Sequence, residues 1–342
     1  MTHFSFKADL DARLDDLLAR NLVDGLHAVI VIRQGTTLLE RYFEGPDSAW
    51  ARRLGNVTFD TKTLHDMRSV TKSILGLVYG IALEAGLVPP PEAPLLAQFP
   101  QYPDLAADSA RRRLTIGHAL TMTLGLEWNE NIPYTSRENS EIAMELAPDR
   151  IRFVLERKFV SEPGRYWLYG GGAPALLGDI IARGAGSSLE DYTRSVLFDP
   201  LDIADHDWNR GHDGAASAAS GLRLTPRGLA RIGEMLVQGG RWNGRQIVPV
   251  DWLGASWRPA AIVDDMRHYG YLWYLGEAAL SSQVGLRGVK WASAVGNGGQ
   301  RLFVFPEPEL VLAISAGNYD TPDQWRTPTT VLRELILGNL LG

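Results

Sequence analysis

Arg68-Ser-Val-Thr-Lys-Ser-Ile-Leu-Gly-Leu-Val-Tyr-Gly-Ile-Ala-Leu83 is the stretch on which the reading of this chain turns. Its composition predicts a buried helix, and Ser69-Val-Thr-Lys72 opens it. A serine and a lysine at i and i+3 lie on one helical face, so the amine reaches the hydroxyl. The helix N-terminus favours both a neutral lysine and a developing oxyanion. That geometry suits acyl transfer without histidine. One S-x-x-K arises easily by chance among five lysines, so the motif needs company.

Outward from this helix, Leu10, Leu14, Leu17 and Leu18 repeat at helical spacing and predict an amphipathic helix over Ala8 to Asn21. Ala28 to Ile32 and Thr37 to Phe43, joined at Gln34-Gly35, predict an antiparallel hairpin. A loop with Gly45, Pro46 and Gly55 then leads to Arg68. Downstream, Thr115 to about Ala185 reads as short helices between Gly and Pro turns. Thr225 caps a further helix with Pro226 in its first turn. Leu302 to Phe305 and Leu310 to Ser315 form a second hairpin, and Val331 to Leu341 a closing helix. The expected fold is therefore α+β: an antiparallel sheet flanked by helices, with a mostly helical domain inserted. Residues 1–75 and 205–342 would form the sheet domain and 76–204 the insertion, with a site in the cleft between them.

Composition narrows the function. The 342 residues carry 34 Lys+Arg against 40 Asp+Glu, a net charge of -6 with no long basic stretch, so neither nucleic acid nor an anionic membrane surface is suggested. The absence of cysteine excludes disulfides, thiolate zinc sites and cysteine nucleophiles. No apolar run approaches the roughly 20 residues of a membrane span. The first residues lack a basic n-region followed by an apolar core, which points to a cytoplasmic protein.

Other catalytic motifs are weaker. The nearest imitation of G-x-S-x-G is Ala313-Ile-Ser-Ala-Gly317, whose serine ends a predicted strand and precedes no helix. No lysine has the glycine spacing of a phosphate loop. Asp202, Asp205, His206, Asp207, His212 and Asp213 cluster in one apparent loop, read as solvated rather than metal-binding. His118, in an apolar helical run, reads as a hydrogen-bonded structural histidine.

The company comes later in the chain. Glu162-Pro-Gly-Arg-Tyr-Trp-Leu-Tyr169-Gly-Gly-Gly sets a tyrosine before a glycine run, and Gly296-Asn-Gly-Gly-Gln300 leads into a strand. With these motifs the chain resembles the serine β-lactamase and penicillin-binding-protein superfamily. It looks most like the class C-like branch of carboxylesterases, D-aminopeptidases and nylon-oligomer hydrolases. The resemblance runs from the Ala28 to Phe43 hairpin through Leu120-Thr-Met-Thr-Leu-Gly-Leu-Glu-Trp128 to Val304-Phe-Pro-Glu-Pro-Glu-Leu-Val-Leu312. It implies Ser69 as nucleophile, Lys72 as its activating partner and Tyr169 as general base and acid. It also implies an oxyanion hole from the Ser69 and Gln300 amides, with Asn297, Gly298 and Gly299 as the third motif. No metal or organic cofactor is needed.

Two departures shape the expected substrate. The asparagine that follows the tyrosine in the family is Gly171 here, and the lysine of the third motif is the neutral Asn297. Losing a cation opposite a substrate carboxylate forfeits about 1.5–3 kcal/mol, which favours uncharged acyl groups over penicillins. Trp128, Tyr134, Trp167, Tyr271 and Trp273 are aromatics near the motifs. Tyr134 matches a substrate-side tyrosine of nylon-oligomer hydrolases, and Trp128 and Trp167 are further candidates for an aromatic pocket. The expected activity is hydrolysis of a small carboxylic ester through a Ser69 acyl-enzyme, with weak or no β-lactam turnover. The alternatives are an amide hydrolase of the nylon-oligomer or D-aminopeptidase type, and a catalytically idle homologue that binds a ligand or partner.

Overall fold

The computed structural model describes residues 4–50, 52–282 and 285–341. In chain order the elements that position the site are α1 (Leu10–Ala19), β1 (Leu26–Arg33), β2 (Thr36–Tyr42), β3 (Glu44–Ala49), β4 (Arg52–Thr58) and α2 (Val70–Glu84). They continue with α3 (Ser140–Glu145), α4 (Gly172–Ala185), α5 (Pro226–Val237), β5 (Tyr274–Ser282), β6 (Gly285–Gly296), β7 (Gln300–Phe305) and β8 (Leu310–Ala316). The main sheet runs β5-β6-β7-β8-β1-β2, and every neighbouring pair in that run is antiparallel. The fold is α+β of the expected kind.

Strand periodicity explains why the sheet is covered on both faces. In β1, Ile30 and Ile32 point into one apolar cluster with α2 and α5, whereas Val29 and Val31 point into a second with α1 and the C-terminal helical segment. In β7, Leu302 and Val304 join the first cluster, and Phe303 and Phe305 the second. Strands buried on both faces carry near-continuous apolar runs, which is how these segments read in sequence.

Helix α2 is the shared spine of the larger cluster, buried from Val70 through Gly80. Its glycines are packing sites. A β-carbon on Gly80 would lie 2.0 Å from Cδ1 of Trp252, whose Nε1 donates to the Gly76 carbonyl at 2.8 Å. Glycine therefore lets an indole lie flat on the helix.

Three expectations need correction. The segment read as a loop with Gly45, Pro46 and Gly55 is the β3-β4 hairpin, with a register shift at Asp47/Ser48. Its Gly, Pro, Asp and Arg residues carry little strand propensity, and pairing rather than composition makes it β. Tyr274–Ser282 and Gly285–Gly296, not assigned to strands, are β5 and β6 of the main sheet. The closing helix over Val331 to Leu341 starts earlier, at Arg326, ends at Leu337, and gives way to a short strand at Leu340–Leu341 that pairs with Ser5–Phe6. Among the described residues no helix is long and apolar enough to cross a membrane.

Candidate active site

Arg68, just ahead of α2, adopts a left-handed backbone (φ 48°). A non-glycine residue there stores strain, and the kink sets Ser69 at the mouth of the helix. The Ser69 side chain makes no capping bond, so its hydroxyl stays available. Lys72 Nζ donates to Ser69 Oγ at 2.9 Å, to the Ala219 carbonyl at 3.0 Å and to Glu141 Oε2 at 3.4 Å. The Lys72 nitrogen thus has three partners within the protein.

Tyr169 arrives from the loop before α4. Its hydroxyl hydrogen-bonds Ser69, and Lys72 Nζ lies 5.0 Å from the centre of its ring. Burial, with Tyr274 and Glu130 nearby, pushes the Tyr169 phenol well above its ordinary value, while the Ser69 contact pulls the other way. The glycine run behind it makes room for Trp128: a β-carbon on Gly170 would lie 2.6 Å from the Trp128 ring, and one on Gly172 2.8 Å.

Two carboxylates missed in the sequence reading organise this corner. Glu141 is wholly buried, and its Oε1 accepts a hydrogen bond from Ser220 Oγ. Burial pushes its carboxyl up to about 7 although Lys72 pulls it down and Glu130 adds repulsion. Glu130 accepts hydrogen bonds from Trp128 Nε1 (2.6 Å), Tyr134 Oη (2.8 Å) and the Gly171 amide (2.6 Å). The one local signal was Asn139, whose side chain caps α3 through the Glu141 and Ile142 amides. That signal sets where the helix begins and says nothing of contacts in distant sequence.

A cavity of about 340 Å³ opens over Ser69, walled by Trp50, Arg68, Tyr134, Ser220, Asn297 and Tyr319 among others. Tyr134 and Asn297 of the expected substrate-side residues thus face it. Trp128 and Trp167 stand behind, the latter packed among Tyr169, Tyr269 and Tyr274 with ring centroids 5.5–6.0 Å away. Tyr271 packs on Trp252, and Trp273 is a core residue. The third motif forms a tight turn between β6 and β7, with Gly298 and Gly299 at positive φ. A β-carbon on Gly296 would lie 2.4 Å from the Met67 carbonyl, so this turn abuts the chain just before Ser69. Asn297 Nδ2 donates to Asp320 Oδ1 and its Oδ1 accepts from the Asp320 amide, both at 3.0 Å. Gln300 is fully buried, its side chain bonded to the Ala316 backbone at 2.6 and 3.1 Å.

The remaining candidates fall elsewhere. Ser315 is buried within β8. His118 is part of a capping box with Thr115. The acidic cluster is not one loop: His206–Trp208 is a short strand paired with Leu222–Leu224, Asp213 pairs with Arg150 at 2.5 Å, and Asp202, Asp205, Asp207 and His212 are exposed. The compact group with metal-capable atoms among the described residues is instead His27, Asp47 and His65, within 4.8 Å of one another. The imidazoles bond to each other, Nδ1 to Nε2, at 3.0 Å, and Tyr319 Oη donates to Asp47 at 3.0 Å. Burial lowers both histidines to about 3 and keeps them neutral.

Fold and site together define a β-lactamase-like architecture with a serine and lysine paired at the head of a buried helix. The family described as Beta-lactamase matches residues 11–333, and the chain belongs to that family. It is 24% identical over 332 residues to a 6-aminohexanoate-dimer hydrolase of Paenarthrobacter ureafaciens, covering 92% of this chain and 78% of that protein. Among solved structures it resembles EstCE1, described as a hydrolase with promiscuous acyltransferase activity. That match has a TM-score of 0.71 at 13% identity, over 96% of this chain and 98% of the other. It also resembles an octameric penicillin-binding protein homologue from Pyrococcus abyssi, with a TM-score of 0.70 at 18% identity, over 95% and 76% of the two chains.

Proposed function

We propose that this protein is a serine hydrolase that cleaves small carboxylic esters through an acyl-enzyme on Ser69, with weak or no β-lactam hydrolysis. The 2.9 Å contact between Lys72 Nζ and Ser69 Oγ, at the wall of an open cavity, carries the reading. Cavity residues come from 1–75, 76–204 and 205–342, which supports the two-part organisation with its site in the cleft.

Ser69 Oγ attacks the ester carbonyl carbon as its proton passes to a neutral Lys72. Tyr169 is kept a neutral phenol by burial, which suits it to the acid half: it protonates the departing alkoxide and is reprotonated from Lys72. The tetrahedral oxyanion is held by the Ser69 amide and by a backbone amide of the 296–300 turn, where Gln300 is the expected donor and Asn297 is the residue on the cavity wall. Water then attacks the acyl carbonyl, gives its proton to the same pair, and Ser69 leaves protonated.

A second reading, hydrolysis of small linear amides, draws support from Tyr134. It faces the cavity and is held protonated by burial and by Glu130, so a second acid stands near the leaving group. The deciding experiment is hydrolysis of p-nitrophenyl butyrate by wild type and Ser69→Ala with a chelator present. Activity lost only in the variant is expected. Equal activity in both, or an inactive but folded wild type, overturns the ester reading and moves the test to amides.

A further inference from the structure

The Glu141 carboxylate stands where a side chain of residue 171 would be. A β-carbon on Gly171 would lie 2.7 Å from Glu141 Oε2 and 3.0 Å from its Cδ. The backbone of Gly171 is ordinary (φ -70°), so no conformational need for glycine exists there. What the missing side chain admits is a carboxylate within 3.4 Å of Lys72 Nζ.

Both groups of this pair are wholly out of water, Lys72 at 1% and Glu141 at 0% exposure. Desolvation penalises the ammonium–carboxylate form, so it competes with the neutral amine–carboxylic acid form, and the two groups titrate as a unit. Only the second form leaves Lys72 a lone pair for the Ser69 proton.

We infer that Glu141 is the positioning residue that holds one proton of the Lys72 pair, and that glycine at 171 serves to admit its carboxylate. This rests on the Ser69 reading above and deepens it. When Glu141 carries its proton, the lone pair of Lys72 takes the Ser69 proton, and that proton goes on through Tyr169 to the leaving oxygen. Glu141 ends each half-reaction as it began.

The charged and titratable groups facing Glu141 agree with this role. Lys72 comes from α2, Glu130 and Tyr134 from the segment before α3, Glu145 from the next turn of α3, and Tyr169 from the loop before α4. Glu145 is itself bound by Arg150 at 3.1 Å. Lys72 and the Ser220 hydroxyl pull Glu141 down, against burial and the carboxylates of Glu130 and Glu145. With both protons on the pair Lys72 has no lone pair; the first is lost near neutral pH, so activity rises as pH climbs through about 7.

The test measures kcat and KM of purified full-length variants against pH, with folding checked by circular dichroism. Glu141→Gln keeps the shape and removes the titration. With no proton to lose at position 141, the rising limb of kcat near pH 7 should move, with KM little changed. A swap reads the shared volume directly. Glu141→Ala and Gly171→Asn should each lose activity. The double variant, whose amide oxygen enters the vacated space beside Lys72, should recover roughly tenfold over Glu141→Ala. A Glu141→Gln enzyme that keeps the wild-type limb near pH 7 overturns the inference, as does a double variant no better than Glu141→Ala. Should Ser69→Ala be fully active in the same assay, the Ser69 reading itself falls.

Discussion

Lys72 Nζ sits 5.0 Å from the centre of the Tyr169 ring while bonded to Ser69 Oγ at 2.9 Å, so one amine holds the serine hydroxyl and lies over the phenol beside it. This divides the work. The phenol is held protonated by burial, which in the proposed mechanism leaves the amine to accept the first proton. Tyr169→Phe keeps the ring and removes the acid. Its effect should grow with leaving-group basicity, from a small loss on p-nitrophenyl esters to about 10²–10⁴-fold on alkyl esters. Equal losses on both, from a leaving-group series, would assign Tyr169 to packing.

Lys72→Ala removes the acceptor and leaves Glu141 buried without its cation. Acylation, followed as the burst of p-nitrophenol, should slow about 10³-fold or more. A near-normal burst would transfer the base role to Tyr169.

At the third motif, Asn297 is engaged at both its amide atoms by Asp320. A lysine introduced there meets that carboxylate before any substrate. Asn297→Lys alone should therefore leave penicillin acylation nearly unchanged. Asn297→Lys with Asp320→Asn should raise it, by up to about tenfold for one charge-assisted hydrogen bond. Mass spectrometry of acyl adducts distinguishes the two, and no gain in the double variant would mean position 297 does not meet the carboxylate.

Behind Tyr319, His27 and His65 are neutral in the folded protein, with values lowered to about 3 against 6.5 in the unfolded chain. Between pH 6.5 and 3 the unfolded state binds more protons at these sites, so their contribution falls as pH falls. Glu141, raised to about 7, works in the opposite direction, as do Asp66, Glu145 and Glu234, whose carboxyls burial also pushes up. Between pH 6.5 and 5 the slope of melting temperature against pH should shift in His65→Gln toward a smaller loss on acidification, whatever its absolute stability. An unaltered slope in that variant would rule out the imidazoles as its source.

Gly80→Ala would drive a methyl to within 2.0 Å of the Trp252 ring. Overpacking of this kind costs about 1–3 kcal/mol and should appear in chemical denaturation as a lower midpoint with unchanged slope. Full stability would mean that the indole shifts at no cost.

What could be read without the fold was local or periodic. Ser69 and Lys72 are three residues apart, and helical geometry alone brings their side chains together. The alternation Val29, Ile30, Val31, Ile32 already encoded two buried faces. The β3-β4 hairpin and the strands over 274–296 were less legible, because charged and glycine-rich segments become strands only when a neighbour pairs with them. Trp128 and Trp167 illustrate a similar limit: composition marked them as aromatics near the motifs, and packing decided that they stand behind the cavity.

The sequence by itself determined the serine-and-lysine helix, the first hairpin and the tyrosine before a glycine run, since each is written within a few consecutive residues. Only the tertiary structure decided that Glu141, 69 positions from Lys72, would lie at its side in the space left by Gly171. It likewise decided that Asn297 would face the cavity while Gln300 turned into the core. The reason is physical: a contact between distant segments has no periodic signature, and it exists only once the cores on both faces of the sheet have fixed where each loop must run.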